Sequence, residues 1–370
     1  MINHHNENSN RTLYSIGNDA SRYTWAGYFF FVLISSFIGD TTILVASAKY
    51  RAFKLHKVII VIIQHIAFCD LMVSLTDILP RFVSVVANEW ALGNFFCHFN
   101  SNASYYFNLV SMLLICTMTS SKLFLLKYPL LSGTITLKKA HLVCVTSWLL
   151  SLTVPVTFLL VDGLDVYFSY KTYQCAHGYS SDVWNWLRPS FAALFGFIPI
   201  GLVVATTTCL LMTARHVAQR SQESLKWQGI VTTSLVAIFY CISLLPYFVY
   251  RAGESLVKAD DRNSEYFHTY FFRVANSFIS LNTISNFYIY SLTVHSFRRF
   301  VWSRIQLFYQ FCNCCGTLTN HGKEKTVLLI CVKLSSSKWH PRTQLYLWQF
   351  RKSKLICIRF TKSKSQHLCI

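Results

Sequence analysis

The chain has 370 residues, of which 53% are apolar, 16% aromatic and only 13% charged, where an ordinary soluble domain carries about 25% charged residues. That balance excludes a water-soluble globule, a disordered chain, a collagen and a coiled coil, and it turns the count toward membrane segments. The formal charge of +19 suggests nucleic acid only until it is located: residues 298–370 hold 14 Lys and Arg against one acid, Glu324, which places +13 of it in one tail. A basic segment directly after a membrane span is expected to lie against the anionic inner leaflet, at about 1 kcal/mol per Lys or Arg. Nucleic acid is the weaker explanation, and membrane lipid the stronger partner.

In chain order, residues 1–24 are polar, with no apolar signal core, and read as an extracellular amino terminus whose following span is the targeting segment. Asn10-Arg11-Thr12 is a glycosylation acceptor there, a triplet common by chance. Seven stretches follow that suffice to cross a hydrocarbon core, which takes about 20 helical residues: 25–48, 58–86, 100–121, 141–161, 190–214, 229–250 and 268–293. Backbone groups in lipid must be paired internally, so runs of this length read as helices, and Pro80, Pro155, Pro199 and Pro246 inside them are tolerated. The predicted fold is an all-α membrane protein: a seven-helix bundle over 25–293, a short amphipathic helix over 294–311 and a basic cytoplasmic tail over 312–370.

Lys and Arg in short loops set the orientation. Lys49, Arg51, Lys54 and Lys57 mark the first loop as cytoplasmic, Lys122, Lys127, Lys138 and Lys139 the third, and Arg215, Arg220 and Lys226 the fifth. The amino terminus is then outside.

Trp90-Ala91-Leu92-Gly93 precedes Cys97, and the third span closes on Ser121-Lys122-Leu123 and runs on to Tyr128-Pro129. With Gly39-Asp40, Ala67-Phe68-Cys69-Asp70-Leu71, Trp148, Pro199, Pro246 and Asn286-Phe287-Tyr288-Ile289-Tyr290 in order, the chain resembles rhodopsin-like (class A) G-protein-coupled receptors over residues 25–312. The resemblance implies a receptor that binds an extracellular ligand and activates a heterotrimeric G protein, not an enzyme. A transporter or channel is the alternative from another class, since polar midplane residues also mark permeation paths, although no inverted repeat is visible. A seven-helix receptor that binds without coupling is the other.

The resemblance also assigns residues. It implies a disulfide between Cys97 and Cys175, at the outer end of the third helix and in the second outer loop. It places Ser111, Asn282 and Asn286 beside Asp70, an oxygen set suited to a sodium ion, with an inert hydrogen-bonded network as the alternative. Asp40 stands where the family has Asn, and two close carboxyls force one to keep its proton; Asp40 is expected to be the neutral donor and Asp70 the ion partner.

Ser121, Lys122 and Leu123 replace the family's Asp-Arg-Tyr, Leu244 its helix-six Trp and Phe287 its helix-seven Pro, while Tyr290 is kept. Lys122 keeps the charge that faces a G protein but not the guanidinium fork, and Ser121 removes the acid that restrains it. Raised basal activity, poor coupling and a different lock are the open outcomes.

By resemblance the ligand pocket includes Asp77, Arg81, Ser104, Asn108, Tyr247, Arg251, Arg273 and Asn276. Ser104 holds the position of the amine-binding aspartate, which disfavours a biogenic amine. Opsins attach retinal through a helix-seven lysine, and residues 268–293 contain none, which excludes a retinal light sensor. Arg251 and Arg273 suit a carboxylate, from a peptide terminus or a small acid, or else pair with Glu254, Glu265 or lipid headgroups. Asp77 and Arg81, four apart on one helix, are expected to satisfy each other.

Phe297, Phe300, Val301, Ile305 and Phe308 among Arg298, Arg299 and Arg304 describe a helix lying on the membrane surface. Cys312, Cys314 and Cys315 beside it are acylation candidates, with metal binding or plain thiols as alternatives. Residues 326–370 alternate apolar pieces too short to span with Lys and Arg, which suits either a membrane-hugging tail or an extension without evolved function.

Overall fold

A computed structural model describes residues 19–48, 53, 55–130, 135–160, 164–170, 172–179, 193–218, 224–253, 262–319, 329–332 and 356–359. Asn10 lies outside the described residues, as do the side chains of Arg251, Cys312, Cys314 and Cys315.

Most of the described chain falls in one unit, Met1–Ser303. Its helices are α1 (Asp19–Ala48), α2 (Lys57–Ala87), α3 (Gly93–Lys127), α4 (Leu137–Ser151, resuming as Thr153–Leu160 after a turn at Leu152), α5 (Ile198–Ala218), α6 (Ser224–Gly253), α7 (Arg262–Thr293) and the start of α8 (His295–Thr319). Six of them, α1 to α6, are long and apolar enough to cross a membrane by length and composition. The seventh, α7, has 32 residues but turns Asn276, Ser277, Ser280, Asn282, Thr283, Ser285 and Asn286 into the bundle, and that interior polarity lowers its hydropathy. Large apolar side chains point outward, among them Phe31 at 55% exposure, Leu149 at 61% and Ile242 at 58%. An apolar belt of this kind is what lipid-facing helices present.

The packing order closes a ring: α1 on α2, α2 on α4 and α3, α3 on α5, α5 on α6, α6 on α7 and α7 back on α1. The central α3 has 35 residues, about 52 Å at 1.5 Å per residue. It therefore outruns the predicted 100–121 span at both ends. Its inner half packs with α2 around Val110, Leu114, Ile115, Met118, Ile59 and Ile63. His56 caps α2 by accepting from the Val58 N–H (3.4 Å), and burial together with the Lys122 charge holds its pKa below 6.5, so it caps as a neutral imidazole.

Two π turns sit two residues ahead of prolines: Ser74–Ile78 before Pro80, and Ala193–Phe197 before Pro199. Proline has no N–H and its ring crowds the carbonyl four residues back, so the turn widens to move that carbonyl aside. At Pro80 the released group is the Thr76 carbonyl, and Asn100 of α3 donates to it (Nδ2 to O, 2.7 Å).

Above α3 lies a hairpin of β1 (Leu164–Ser169) and β2 (Gln174–Tyr179), with Phe168 opposite Cys175. The disulfide Cys97–Cys175 ties β2 to the outer end of α3, as the resemblance implied. The second unit, Arg304–Ile370, contains an antiparallel pair, β3 (Leu329–Val332) with β4 (Ile356–Arg359), built from the two apolar pieces of the tail.

Phe287, in place of the family proline, packs on Gly39: a Cβ added there would lie 2.9 Å from the Phe287 Cβ. The helix α1 thus approaches α7 against the base of that side chain, which cannot rotate away. Gly39→Ala is expected to destabilise by about 1–3 kcal/mol through overpacking, with Phe287→Ala in the same chain restoring part of it, as read by thermal unfolding in nanodiscs.

Candidate functional site

Midway down the bundle, Asp70 is fully buried and accepts from Asn286 (Nδ2 to Oδ2, 2.7 Å) and from Ser111 (Oγ to Oδ1, 3.4 Å). Asp40, also fully buried, accepts from Ser36 (2.6 Å). Ser36 meets Ser74 oxygen to oxygen at 2.5 Å, and Ser74 donates to the Asp70 carbonyl (3.0 Å). Two serines that the sequence did not single out thus lead from the Asp40 carboxyl to the main chain of Asp70. Their only signal is spacing, since Ser36 to Asp40 and Asp70 to Ser74 are each four apart on a helix.

Asn282 is buried but makes no hydrogen bond to Asp70 among the described residues. The oxygens Asp40 Oδ1, Asn282 Oδ1, Asn286 Oδ1 and Tyr290 Oη are buried with no hydrogen-bond partner there. Buried acceptors left open are the complement of a cation or a water.

Nearer the inner face, Tyr290 is buried against Phe53 of the first inner loop, and Phe53 stacks on Phe297 (4.9 Å). The helices α6 and α7 are tied by Gln228 donating to the Thr293 carbonyl and Thr232 to the Thr293 hydroxyl (2.9 Å). Lys122 pairs with no acid among the described residues, in keeping with Ser121 beside it. Instead its Nζ lies 2.8 Å from where a Gly229 Cβ would stand, with Leu55 beside it. A glycine on α6 thus seats the lysine of α3. Gly229→Leu is therefore expected to push the inner ends of α3 and α6 apart, as an increased spin-label distance between them; an unchanged distance in the folded variant would disprove the seat.

The outer half holds a buried ion pair. Arg81 contacts both oxygens of Asp77, Nη2 to Oδ2 at 2.7 Å and Nε to Oδ1 at 3.2 Å, so the expected mutual satisfaction occurs. Ser104 of α3 adds a bond to Asp77 Oδ1 (2.7 Å). The π turn, which contains Asp77, and Pro80 set the facing of this pair. Asn100 was not anticipated: while donating to Thr76, it accepts the Cys175 N–H (3.1 Å) and so joins α2, α3 and β2.

Asn108 donates to the Ser104 carbonyl (2.6 Å), and its own carbonyl accepts from Tyr240 of α6 (3.0 Å). Tyr247 stacks on Phe272 (5.9 Å). Arg273 donates to the Tyr170 carbonyl (2.9 Å) and lies over the Tyr173 ring, so it anchors the hairpin end. Asn276 is buried, its Nδ2 without a partner among the described residues. Asp77, Arg81 and Ser104 are brought together; Asn108, Tyr247 and Arg273 make other contacts.

A ring of apolar-faced helices, a buried carboxyl core, an outer ion pair and a disulfide over α3 define a multi-pass membrane protein of the seven-helix receptor class. The profile of the 7 transmembrane receptor (rhodopsin family) matches residues 39–290, and the chain belongs to that family. It is 25% identical over 256 residues to the ultraviolet-sensitive opsin of Melopsittacus undulatus, covering 63% of this chain and 72% of the opsin. It is 26% identical over 171 residues to neuropeptide Y receptor type 5 of Rattus norvegicus, covering 44% of this chain and 38% of that receptor. Squid rhodopsin shares the fold, with a TM-score of 0.66 at 16% identity, over 80% of this chain and 88% of that one. These relatives are receptors and not enzymes.

Proposed function

We propose that this is a plasma-membrane receptor, amino terminus outside, in which an extracellular ligand on the outer site shifts α6 and α7 and a heterotrimeric G protein reads their inner ends. The observation that carries this is a file of buried and partly buried polar contacts along α3. From Asp77 it runs through Ser104 and Asn108 to Tyr240 of α6. From the Phe107 carbonyl it runs through Cys69, Ser111 and Asp70 to Asn286 of α7. An occupant of the outer half thus acts on the two helices whose inner ends carry Gln228, Thr293 and Tyr290. A peptide or a small anionic molecule fits the arginines of the outer half, and neuropeptide Y receptor type 5 is a relative whose name states a peptide. Retinal does not fit, because α7 has no lysine.

The open oxygens around Asp70 fit sodium: Asp70, Ser111, Asn282 and Asn286 would hold the ion and Asp40 would stand behind them. Replacing sodium by a large organic cation is expected to lower the unfolding temperature of the native chain but not of Asp70→Asn. Equal sensitivity in both would remove sodium from the reading. Acylation of Cys312, Cys314 and Cys315 and glycosylation of Asn10 belong to the same proposal.

Coupling is tested by basal second-messenger output at verified surface level, beside Lys122→Arg and Ser121→Asp/Lys122→Arg/Leu123→Tyr. The native chain is expected to signal without ligand, because even unliganded receptors populate the active state, and the restored triplet to quiet it. Nucleotide exchange no faster than in empty nanodiscs, for all versions and a full panel of G proteins, would defeat the coupling reading.

A further inference from the structure

We infer that the outer site is built to receive the carboxylate of an amphipathic ligand on Arg81, which rests on the reading of this half of the bundle as the ligand site. The argument begins with how much of the guanidinium is already used. Arg81 is 3% exposed, and Asp77 occupies Nε and Nη2, while Nη1 is buried with no acceptor among the described residues. A buried guanidinium nitrogen without a partner is costly, and its natural complement is a carboxylate or carbonyl oxygen.

Two further open polar groups lie in the same outer half. The Ser84 hydroxyl, one turn outward of Arg81, and the Asn276 amide nitrogen of α7 are buried without partners among the described residues. All three groups can donate. Their elements are linked through α1: Arg81 lies over the Phe29 ring (5.9 Å), and neighbouring Tyr28 donates to the Ser277 carbonyl (2.6 Å), next to Asn276.

The surroundings specify the rest of the ligand. Phe29 belongs to an apolar cluster with Val32, Ile78, Val85, Tyr173 and Ile284, so the acceptor must arrive on an apolar group. Charge agrees, because Asp77 is the one acid paired with Arg81 among the described residues, and it is also held by Ser104. A free fatty or aryl acid and the carboxyl terminus of an apolar peptide share this chemistry.

The test uses the full chain in phosphatidylcholine nanodiscs with no G protein, and four probes: 4-phenylbutanoate, its primary amide, and acetyl-Leu-Phe with a free or an amidated carboxyl terminus. A carboxylate is expected to raise the unfolding temperature where its amide does not, and the responding pair identifies acid or peptide. Asp77→Asn, which removes the internal negative charge and one of the two acceptor oxygens on the guanidinium, is expected to bind the carboxylate about tenfold more tightly and to be restored by it, as when an internal carboxylate is replaced by an external one. Asp77→Asn/Arg81→Gln removes the charge pair together, keeps the site neutral and is expected to lose the selectivity. Acid and amide acting alike on the native chain, or unchanged selectivity in the double variant, overturns the inference. Because binding is read apart from signalling, carboxylate selectivity without G-protein activation would sink only the receptor reading, and activation without selectivity only this one.

Discussion

Replacing Asn100 by Leu is expected to cost the receptor about 2–4 kcal/mol of stability and most of its surface expression. The side chain is 1% exposed and both ends of its amide are used, the nitrogen on the Thr76 carbonyl and the oxygen on the Cys175 N–H. Leucine fills the space and satisfies neither group, and each buried orphan costs about 1–3 kcal/mol. The Thr76 carbonyl lacks the usual α-helical donor, because residue 80 is proline and donates nothing. Asn100→Asp separates the two ends, since a carboxylate still accepts from Cys175 but cannot donate to Thr76. Thermal unfolding of Asn100→Leu within about 1 kcal/mol of the native chain would show that water replaces the amide at both points.

Asp77→Leu is expected to cost more, about 3–5 kcal/mol, because it strands a buried guanidinium. Its diagnostic is the double variant. Replacing both partners by apolar side chains of similar volume, Asp77→Leu/Arg81→Met, is expected to restore most of the loss, as buried ion pairs exchanged for hydrophobes are often neutral or better. A double variant as unstable as the single one would mean that Ser104 and the rest of the site, and not the pair itself, hold the outer half together. A restored double variant separates structure from ligand recognition, for it folds without the anchor assigned to Arg81.

Much of the bundle was legible because crossing lipid demands long apolar runs, and residues such as Ile59 to Ile63 or Leu109 to Ile115 are unmistakable on that count. Asp70 was legible for the converse reason, as a carboxyl inside such a run. The pair Asp77 and Arg81 could be read from helical spacing. Asn100 could not, because its partners lie 24 and 75 positions away and nothing local distinguishes it from a surface asparagine. Gly39 and Phe287 each look like departures or defaults alone and make sense only when α1 and α7 are seen to touch. Ser121 beside Lys122 showed that the usual acid was missing, but the seating of Lys122 against Gly229 of α6 depends on a helix approach that no spacing within one segment encodes. Arg273 attracted attention by charge, whereas the decisive property at Arg81 is an unused nitrogen, visible only once the contacts around it are known.

The π turn at Ser74–Ile78 acts as a shim in the thread of α2. A π turn carries one residue more than the α turn it widens, so deleting Leu75 or Thr76 would let it close to ordinary α-helix and leave Asp77 and Arg81 facing nearly as before. An added residue finds no such slack: at about 100° of rotation per residue, it would swing Asp77 and Arg81 out of the interior while Lys57 to Val73, with Asp70, stay in place. The thread of α2 therefore holds a reserve of one residue, which tolerates a loss of length there and not a gain.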